Sequence, residues 1–165
     1  MANKKKNKKS GLISTNQTVS ENRKARHDYS IEEKFESGLA LEGTEVKSLR
    51  HGQCSLKESH VGPKQGELYL FNAHIPEYQQ AGSHLQHSPR RPRKLLMHKR
   101  EINKLMGSVK KEGYTIVPLR LYFNSRGIAK LEIALAKGKK VYDKREDIKQ
   151  RDWNRQKQRV MKERG

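Results

Sequence analysis

The chain has 165 residues, with 37 Lys or Arg against 18 Asp or Glu, and its formal net charge at pH 7 is +19. A charge this far from zero predicts a polyanionic partner such as a nucleic acid, because each phosphate that the protein neutralises releases condensed counterions. The length allows one domain with extensions, the single cysteine excludes an internal disulfide, and no segment reaches the roughly twenty apolar residues of a membrane span.

The first 24 residues are mostly Lys, Asn, Ser and Thr, and their branched aliphatic residues are Leu12, Ile13 and Val19. This composition is typical of a disordered segment, so we predict a flexible basic arm over residues 1–24. The arm lacks the hydrophobic core that a signal peptide needs, so we expect a cytoplasmic protein without a membrane partner.

A folded domain is predicted over residues 25–136, and its first strand begins at Tyr29. In YSIEEKFESGLAL the apolar residues fall mainly on alternate positions, which predicts a strand with one buried face. This strand ends at a glycine, after which Thr44 can N-cap a short helix that carries Val46 and Leu49 inward. GELYLFNAHI predicts another strand, and the Gln-, His-, Pro- and Arg-rich segment after it predicts a long functional or mobile loop.

The second half of the domain has clearer periodicity. An amphipathic helix that stops by Gly113 is predicted by apolar residues spaced i, i+3, i+4 and i+7, namely Ile102, Leu105, Met106 and Val109. TIVPLRLYF and AKLEIAL alternate around the polar turn NSRG and predict a β-hairpin with Pro118 at an edge or a bulge. Mainly β structure with short helices predicts a small antiparallel barrel of the oligonucleotide-binding type, the OB fold; from the residues alone a split α+β sheet fits nearly as well.

The last 30 residues, AKGKKVYDKREDIKQRDWNRQKQRVMKERG, carry 12 Lys or Arg and 5 Asp or Glu. Their few large apolar residues bury too little area to offset a backbone ordering cost of about 1–2 kcal/mol per residue. We therefore predict that the basic tail, residues 137–165, is disordered when free and becomes helical on a polyanionic partner. A purely solubilising tail is the alternative.

No group of residues predicts catalysis, so we expect a protein that is not an enzyme and needs neither a cofactor nor a metal. His84 and His87 have the spacing of metal ligands but lack further ligands, and Cys54 has no neighbour that would activate its thiol. An RNA-processing enzyme with a metal on Glu32 and Glu36 is the enzymatic alternative. These two carboxylates, however, fall on the solvent face of the first predicted strand.

Three stretches of the sequence together resemble one family. They are ARHDYSIEEKFESGLALEGTEVKSLRHG, RKLLMHKREINKLMGSVKKEGYTIVPLRLYF and LAKGKKVYDKREDIKQRDW. On these motifs, from Ala25 to the last residue, the chain is similar to small protein B, the SsrA-binding protein family. Members of that family are the bacterial partners of transfer-messenger RNA (tmRNA).

The resemblance implies an RNA-binding ribosome-rescue factor whose OB-like barrel grips the tRNA-like part of tmRNA. With elongation factor Tu, it would accompany this RNA to stalled ribosomes for trans-translation. The tail would lie in the empty mRNA channel near the decoding centre, against small-subunit ribosomal RNA, and become helical there. A ribosomal protein or general RNA chaperone with an unspecific basic barrel is the alternative binding function.

The family motifs also imply site residues. Those implied to bind tmRNA are Asn22, Lys24, His27, Tyr29, Glu36, Arg50 and Lys130. Those implied to bind the ribosome lie in the tail and are Gly138, Lys139, Lys140, Tyr142, Asp143, Lys144, Arg145, Trp153, Val160 and Met161. The carboxylate at position 36 would specify the RNA by accepting hydrogen bonds, and the glycine at position 138 would be a hinge. The chain departs from the family at His60, where Tyr is frequent, and at Tyr142, where His is frequent.

We predict that the isolated peptide of residues 136–165 has little helix in plain buffer and gains helix when ribosomal RNA is added. Its apolar area is too small to stabilise a helix alone, whereas phosphates relieve the repulsion among its cations. Far-UV circular dichroism, with the spectrum of the RNA subtracted, measures the change. A peptide that is stably helical in buffer and indifferent to polyanions would contradict this expectation.

Overall fold

The structure, a computed structural model, describes residues 11–111, 113–139 and 141–164, with side chains of the final helix described from 148 to 161. The chain forms seven β-strands and four α-helices within these ranges. In chain order they are β1 Gln17–Glu21, α1 Arg23–Asp28, β2 Tyr29–Leu39, α2 Gly43–Arg50, β3 His60–Lys64, β4 Glu67–Phe71, β5 Arg93–Leu96, α3 Lys99–Val109, β6 Tyr114–Phe123, β7 Ala129–Gly138 and α4 Val141–Arg164. None of the described helices is long and apolar enough to cross a membrane.

The strands form one antiparallel sheet with the order β1-β6-β7-β2-β5-β4-β3. The sheet curls so far that β3, at one end, packs against β6 near the other end. Apolar side chains inside the curl build the core, to which helix α3 adds Ile102 and Leu105. The predicted fold class, a mainly antiparallel barrel with short helices, is confirmed.

The β6–β7 hairpin and helix α3 form where the sequence predicts them. The side-chain oxygen of Asn124 closes the hairpin turn by accepting two backbone N–H bonds, at 3.0 and 2.9 Å. Gly127 has a φ of +73°, which residues with a side chain rarely adopt. Strand β6 is paired on both sides, and its register with β7 shifts between Pro118 and Arg120. The predicted bulge at the proline is therefore confirmed.

The predicted flexible arm is too long, because residues 11–24 belong to the fold. Strand β1 pairs with β6, with Gln17 opposite Phe123. Ile13 is only 9% exposed and joins the core. The sequence hides this strand because its stability comes from pairing with β6 rather than from an apolar alternation of its own. Residues 1–10 of the predicted arm lie outside the described residues.

Two short strands and one helix cap also differ from the expectation. The sequence does not predict β3 and β5, which have five and four residues, because segments this short carry little periodicity. Helix α2 is capped by Glu42 rather than Thr44, and the Glu42 N–H donates to the Glu45 carboxylate at 2.8 Å. The Thr44 hydroxyl instead lies 2.8 Å from Nδ1 of His87, which ties the β4–β5 loop to the helix.

A buried ion cluster joins helix α2, strand β5 and the loop between β4 and β5. The side chains of Glu45 and Arg93 are completely buried, and Nε of Arg93 donates to Oε2 of Glu45. Arg91 donates to the other carboxylate oxygen, Oε1, from Nε at 3.1 Å and also from Nη2. The buried carboxylate is thus paired with two guanidinium groups, which offset the cost of removing its charge from water.

The two arginines extend this cluster to the surrounding backbone. Arg93 donates to two carbonyl oxygens of the β4–β5 loop, at 2.8 and 3.0 Å, and Arg91 donates to the Ala40 carbonyl at 3.2 Å. Burial alone would raise the pKa of the Glu45 carboxyl, but the hydrogen bonds that it accepts outweigh burial and lower the pKa. Glu45 is therefore ionised in the folded protein at neutral pH.

We expect Glu45→Gln to lower the free energy of unfolding by about 3–5 kcal/mol at pH 7, since it leaves a buried guanidinium without its counter-ion. Because the pKa of Glu45 is lower in the folded than in the unfolded state, the wild-type advantage is present at neutral pH. It is lost as the pH falls through the folded-state pKa. Urea denaturation of both proteins, from pH 7 downward, measures both effects.

The matched control is Glu67→Gln, because Glu67 is a partly exposed carboxylate 4.0 Å from Nζ of Lys94. Exposed ion pairs contribute about 0–1 kcal/mol, so this variant should unfold close to the wild type. An equal decrease in the free energy of unfolding in both variants would refute the role of the buried cluster. So would a decrease in Glu45→Gln that does not change with pH.

Candidate nucleic-acid interface

Strands β2, β6 and β7 carry a row of polar side chains on the outer face of the sheet. Tyr122 of β6 lies opposite Lys130 of β7, and Glu36 of β2 lies opposite Glu132 of β7. The Tyr122 hydroxyl donates a hydrogen bond to Glu36, and Nζ of Lys130 is 3.9 Å from the other oxygen of that carboxylate. These contacts bring two predicted RNA-binding residues together and orient the Glu36 side chain, which stays 56% exposed.

Tyr122 is itself buried, with 8% of its surface exposed. Burial raises the pKa of its phenol above the ordinary value, and the hydrogen bond to Glu36 and the charge of that carboxylate raise it further. The phenol is therefore protonated at physiological pH, and its O–H donates a hydrogen bond to one oxygen of the Glu36 carboxylate. The second oxygen lies on the side of Lys130.

Further charged groups lie next to this row. The Arg120 guanidinium stacks on the Tyr122 ring, 4.0 Å from the ring centroid, and its Nε is 3.5 Å from Glu132. Nη2 of Arg26, on helix α1, is 3.6 Å from the same carboxylate. Cations and carboxylates thus alternate across the sheet, which fixes their positions. Both guanidinium groups stay partly exposed and can still donate to a phosphate.

The row ends at a cavity of about 530 Å³ between β2, β5 and the start of α3. Glu36 and Lys130 line it together with Lys94 and Leu96 of β5 and His98 before α3. Leu96 is exposed and gives the cavity an apolar wall beside its charged groups. The carboxylates of Glu67 and Glu101 line it as well. A cavity with several acceptors, several donors and an apolar wall can hold a nucleic-acid base.

The predicted residues Asn22, Lys24 and Tyr29 lie at a second cavity, of about 260 Å³, between α1, β3 and β6. Asn22 is only 6% exposed and caps helix α1, because its Oδ1 accepts from the Ala25 N–H at 3.2 Å. Its Nδ2 donates to the Pro118 carbonyl at 3.0 Å. Asn22 therefore holds this corner of the fold together, whereas the Lys24 side chain is exposed to a ligand.

The predicted residues His27 and Arg50 line neither cavity. Nδ1 of His27 is 3.0 Å from Oδ1 of Asp28 at the end of α1. Arg50 donates to two carbonyl oxygens of the segment before β1, both at 2.8 Å, and to the Gly127 carbonyl at 2.9 Å. Its guanidinium also lies 4.1 Å from the Phe123 ring centroid. Arg50 thus ties the N-terminal segment to the hairpin turn, and its direct contact with RNA stays a prediction.

The predicted set of binding residues omits several side chains that line the row and its cavities, namely Lys57, Lys94, Leu96, Arg120 and Tyr122. The sequence does contain a signal for two of them. Arg120 and Tyr122 alternate with the buried residues of the predicted hairpin and so share a face with Lys130. Lys94 and Leu96 have no such signal, because the sequence does not predict strand β5.

The tail begins where β7 ends. Gly138 pairs with Tyr29 of β2, and the Lys139 N–H donates to the Asp28 carbonyl at 3.0 Å. A Cβ atom at Gly138 would meet nothing within 4 Å, so packing does not require glycine there, and its role as a hinge stays a prediction. Lys140 lies outside the described residues.

Helix α4 carries the rest of the tail. The predicted ribosome-binding residues of its first turns, whose side chains lie outside the described part of the chain, are Tyr142, Asp143, Lys144 and Arg145. Those of its later turns are exposed and are Trp153, Val160 and Met161. The tail is helical in the structure; its disorder when free and its binding to the ribosome stay predictions.

The enzymatic alternative has no supporting geometry in the described residues. Glu32 accepts a hydrogen bond from the Tyr114 hydroxyl at 3.2 Å, and Glu36 is held by Tyr122. No group of three or more His, Cys, Asp or Glu residues in the described ranges could hold a metal ion. Burial raises the pKa of the Cys54 thiol to about 12, so this thiol is not an activated nucleophile.

Comparison with known families matches residues 19–163 to the family described as SmpB protein. The chain belongs to the SmpB protein family. The family that the sequence motifs predict is therefore confirmed.

Similar proteins agree with this assignment. An SsrA-binding protein of Rhodospirillum rubrum is 58% identical over 147 residues, which cover 89% of this chain and 92% of the relative. One of Azorhizobium caulinodans is 59% identical over 147 residues, which cover 89% and 91%. A chain of the solved structure described as "tmRNA-SmpB: a journey to the center of the bacterial ribosome" is 53% identical, with a TM-score of 0.61 over 73% of this chain and 84% of that chain.

We expect Arg50→Ala to lower the free energy of unfolding by about 1.5–3 kcal/mol, because several carbonyl groups lose a charged donor. Amide hydrogen exchange in β1 should become faster, since its preceding segment is no longer tied to the hairpin turn. Urea denaturation and hydrogen-exchange mass spectrometry measure the two effects. Arg126→Ala is the control, because Arg126 is an exposed arginine in the same turn and should change neither. Unchanged stability together with lost RNA affinity would show that Arg50 acts by contacting RNA.

Proposed function

We propose that this SmpB-family chain is a non-catalytic RNA-binding factor that binds the tRNA-like part of tmRNA and acts with it in trans-translation on stalled ribosomes. The observation that carries the proposal is the Glu36 carboxylate, which Tyr122 and Lys130 orient on the surface of a strongly basic chain. The family supports it, since the similar proteins are named SsrA-binding proteins and the similar solved structure is described as tmRNA-SmpB.

The carboxylate indicates specific rather than general binding of RNA. An ionised Glu36 only accepts hydrogen bonds, so it repels phosphates and suits the amino and imino groups of a base. Paired RNA hides these groups, whereas unpaired loops expose them. We assign the cavity beside Glu36 to an unpaired base of a folded RNA, with Lys130 and Arg120 donating to the neighbouring phosphates. A general RNA chaperone would have no use for an oriented acceptor at this position.

The basic side chains supply the affinity that the carboxylate does not. The net charge of +19 attracts any RNA, and the phosphate contacts fix its position without reading its sequence. Discrimination then depends on whether the RNA places an unpaired base in the cavity. This division of work fits a factor that must select one folded RNA among many tRNAs.

The tail would act on the ribosome rather than in tmRNA binding. All side chains described in helix α4, from 148 to 161, are exposed, so the described part of the helix buries no face against the barrel. Nζ of Lys157 lies 5.6 Å from the Trp153 ring centroid, which places a cation and a ring on one side of the helix. We assign this helix to small-subunit ribosomal RNA in the empty mRNA channel near the decoding centre. Elongation factor Tu would accompany the complex through the cytoplasm.

Two kinds of variant should separate the two activities. Glu36→Gln should weaken binding to the tRNA-like part of tmRNA about 10–100-fold, since it removes the charged acceptor of a hydrogen bond. A truncation after Lys140 should leave this affinity within a few-fold of the wild type but abolish peptide tagging on stalled ribosomes. Filter binding with bulk tRNA as competitor at physiological salt, and a tagging assay at saturating protein, measure the two activities.

Glu77→Gln is the matched control for charge, because Glu77 is an exposed carboxylate that lines neither cavity. It should bind tmRNA like the wild type. A wild-type protein that does not prefer tmRNA to bulk tRNA would support the general RNA chaperone instead. Loss of tmRNA binding on truncation would contradict the separation of barrel and tail.

A further inference from the structure

The outer face of strands β3 and β4 carries three aromatic rings that the proposed function does not use. His60 of β3 stacks on Phe71 of β4, with 5.3 Å between the ring centroids and 17° between the ring planes. The centroid of the Tyr69 ring is 6.2 Å from that of Phe71. We call these three residues the aromatic row.

Core packing does not explain the aromatic row. Leu68 and Leu70 alternate with Tyr69 and Phe71 along β4 and are completely buried, so the rings point away from the core. Phe71 does cover Gly62, where an added Cβ would lie 3.4 Å from the ring. One ring is sufficient for that cover, and the other two rings remain to be explained.

Lysine side chains border the aromatic row on the sheet. Nζ of Lys64 is 5.2 Å from the Tyr69 ring centroid, and Lys94 of β5 lies opposite Tyr69 in the sheet. Glu67 is on the same face of β4 and is 4.0 Å from Nζ of Lys94. A face that combines rings with cations suits a ligand that has both flat apolar faces and negative charges.

At its other end the aromatic row reaches the second cavity, which Lys24 and Tyr29 line. His60 lines this cavity, and so does Lys57. Lys57 also lines an adjoining hollow of about 200 Å³ together with Arg90. The carboxylates that line the first cavity are Asp28 and Glu58. A strand of RNA that stacks on the rings can therefore continue past several cations toward helix α1.

We propose that the aromatic row is a stacking platform for unpaired RNA bases, additional to the cavity beside Glu36. Bases stack on the rings of His60 and Tyr69, while Lys64 and Lys57 bind the phosphates on either side. The inference rests on the proposed function only in taking RNA as the partner. It requires neither selectivity for tmRNA nor the tail.

Two oligonucleotides of about ten nucleotides separate stacking from phosphate binding, namely oligoadenylate and an abasic strand of equal length and charge. The full-length wild type should bind oligoadenylate more tightly than the abasic strand. His60→Ala/Tyr69→Leu should lose most of this preference, about 5–100-fold in affinity for oligoadenylate. Lys64→Gln should weaken binding to both strands alike. Fluorescence anisotropy at low and at physiological salt measures these affinities.

The matched control is Tyr78→Leu, because Tyr78 is another ring beside a lysine, 5.5 Å from Nζ of Lys47, but lies in the β4–β5 loop. It should keep the wild-type preference. The proposal is overturned if the wild type shows no preference, if the row variant keeps it, or if Tyr78→Leu loses it equally. Thermal unfolding checks each variant, and His60→Ala alone, a change at an exposed position, replaces the double variant if that does not fold.

The tmRNA competition assay remains independent of this test. A wild-type protein that prefers oligoadenylate to the abasic strand, but does not prefer tmRNA to bulk tRNA, would refute the proposed function and support the aromatic row. A wild-type protein that prefers tmRNA to bulk tRNA, but does not prefer oligoadenylate to the abasic strand, would refute only the stacking role of the aromatic row.

Discussion

The carboxylate of Glu45 has no contact with solvent, and it joins three parts of the chain through Arg91 and Arg93. The β4–β5 loop buries Ala73 and Ile75 in the core but is otherwise rich in polar residues, so apolar burial alone does not hold it. Both guanidinium groups also hold it, because they bind the carboxylate and the backbone carbonyls around it. Strand β5 follows this loop and forms one wall of the cavity beside Glu36. The candidate RNA site therefore depends on a buried charge at some distance from it, and the first of the three stretches that resemble the family contains that charge.

The outer face of the sheet gains fixed side-chain positions at an electrostatic cost. Glu36 and Glu132 reduce the positive potential of the β-sheet face, which weakens attraction to any phosphate. In return, they hold Arg120, Lys130 and the Tyr122 phenol at fixed positions. The register of β2, β6 and β7 sets all of these contacts, because residues far apart in sequence meet only when the strands are correctly aligned. In the proposed function, affinity and selectivity therefore come from different residues on this face.

Periodicity predicts the parts of the fold that bury their own apolar face. Helix α3, strand β2 and the β6–β7 hairpin belong to this class, and the family motifs predict the barrel that contains them. Strand β1 is polar, and β3 and β5 are short, so their formation depends on neighbours that are remote in sequence. The same limit applies to single residues. Motifs imply that Asn22 and Arg50 bind RNA, yet their side chains bond to backbone carbonyls near Pro118 and Gly127, which no local pattern reveals.

The junction between sheet and tail has a mechanical consequence. Backbone pairing continues to Lys139, so a single residue separates it from the first residue of helix α4, and only a few dihedral angles can change the helix direction. A helix of 24 residues is about 36 Å long. A rotation of about 10° at its base displaces the tip by about 6 Å, more than one helical turn. Any rotation at the corner between α1 and β2, where the backbone pairing ends, therefore moves the far end of helix α4 much farther than its base.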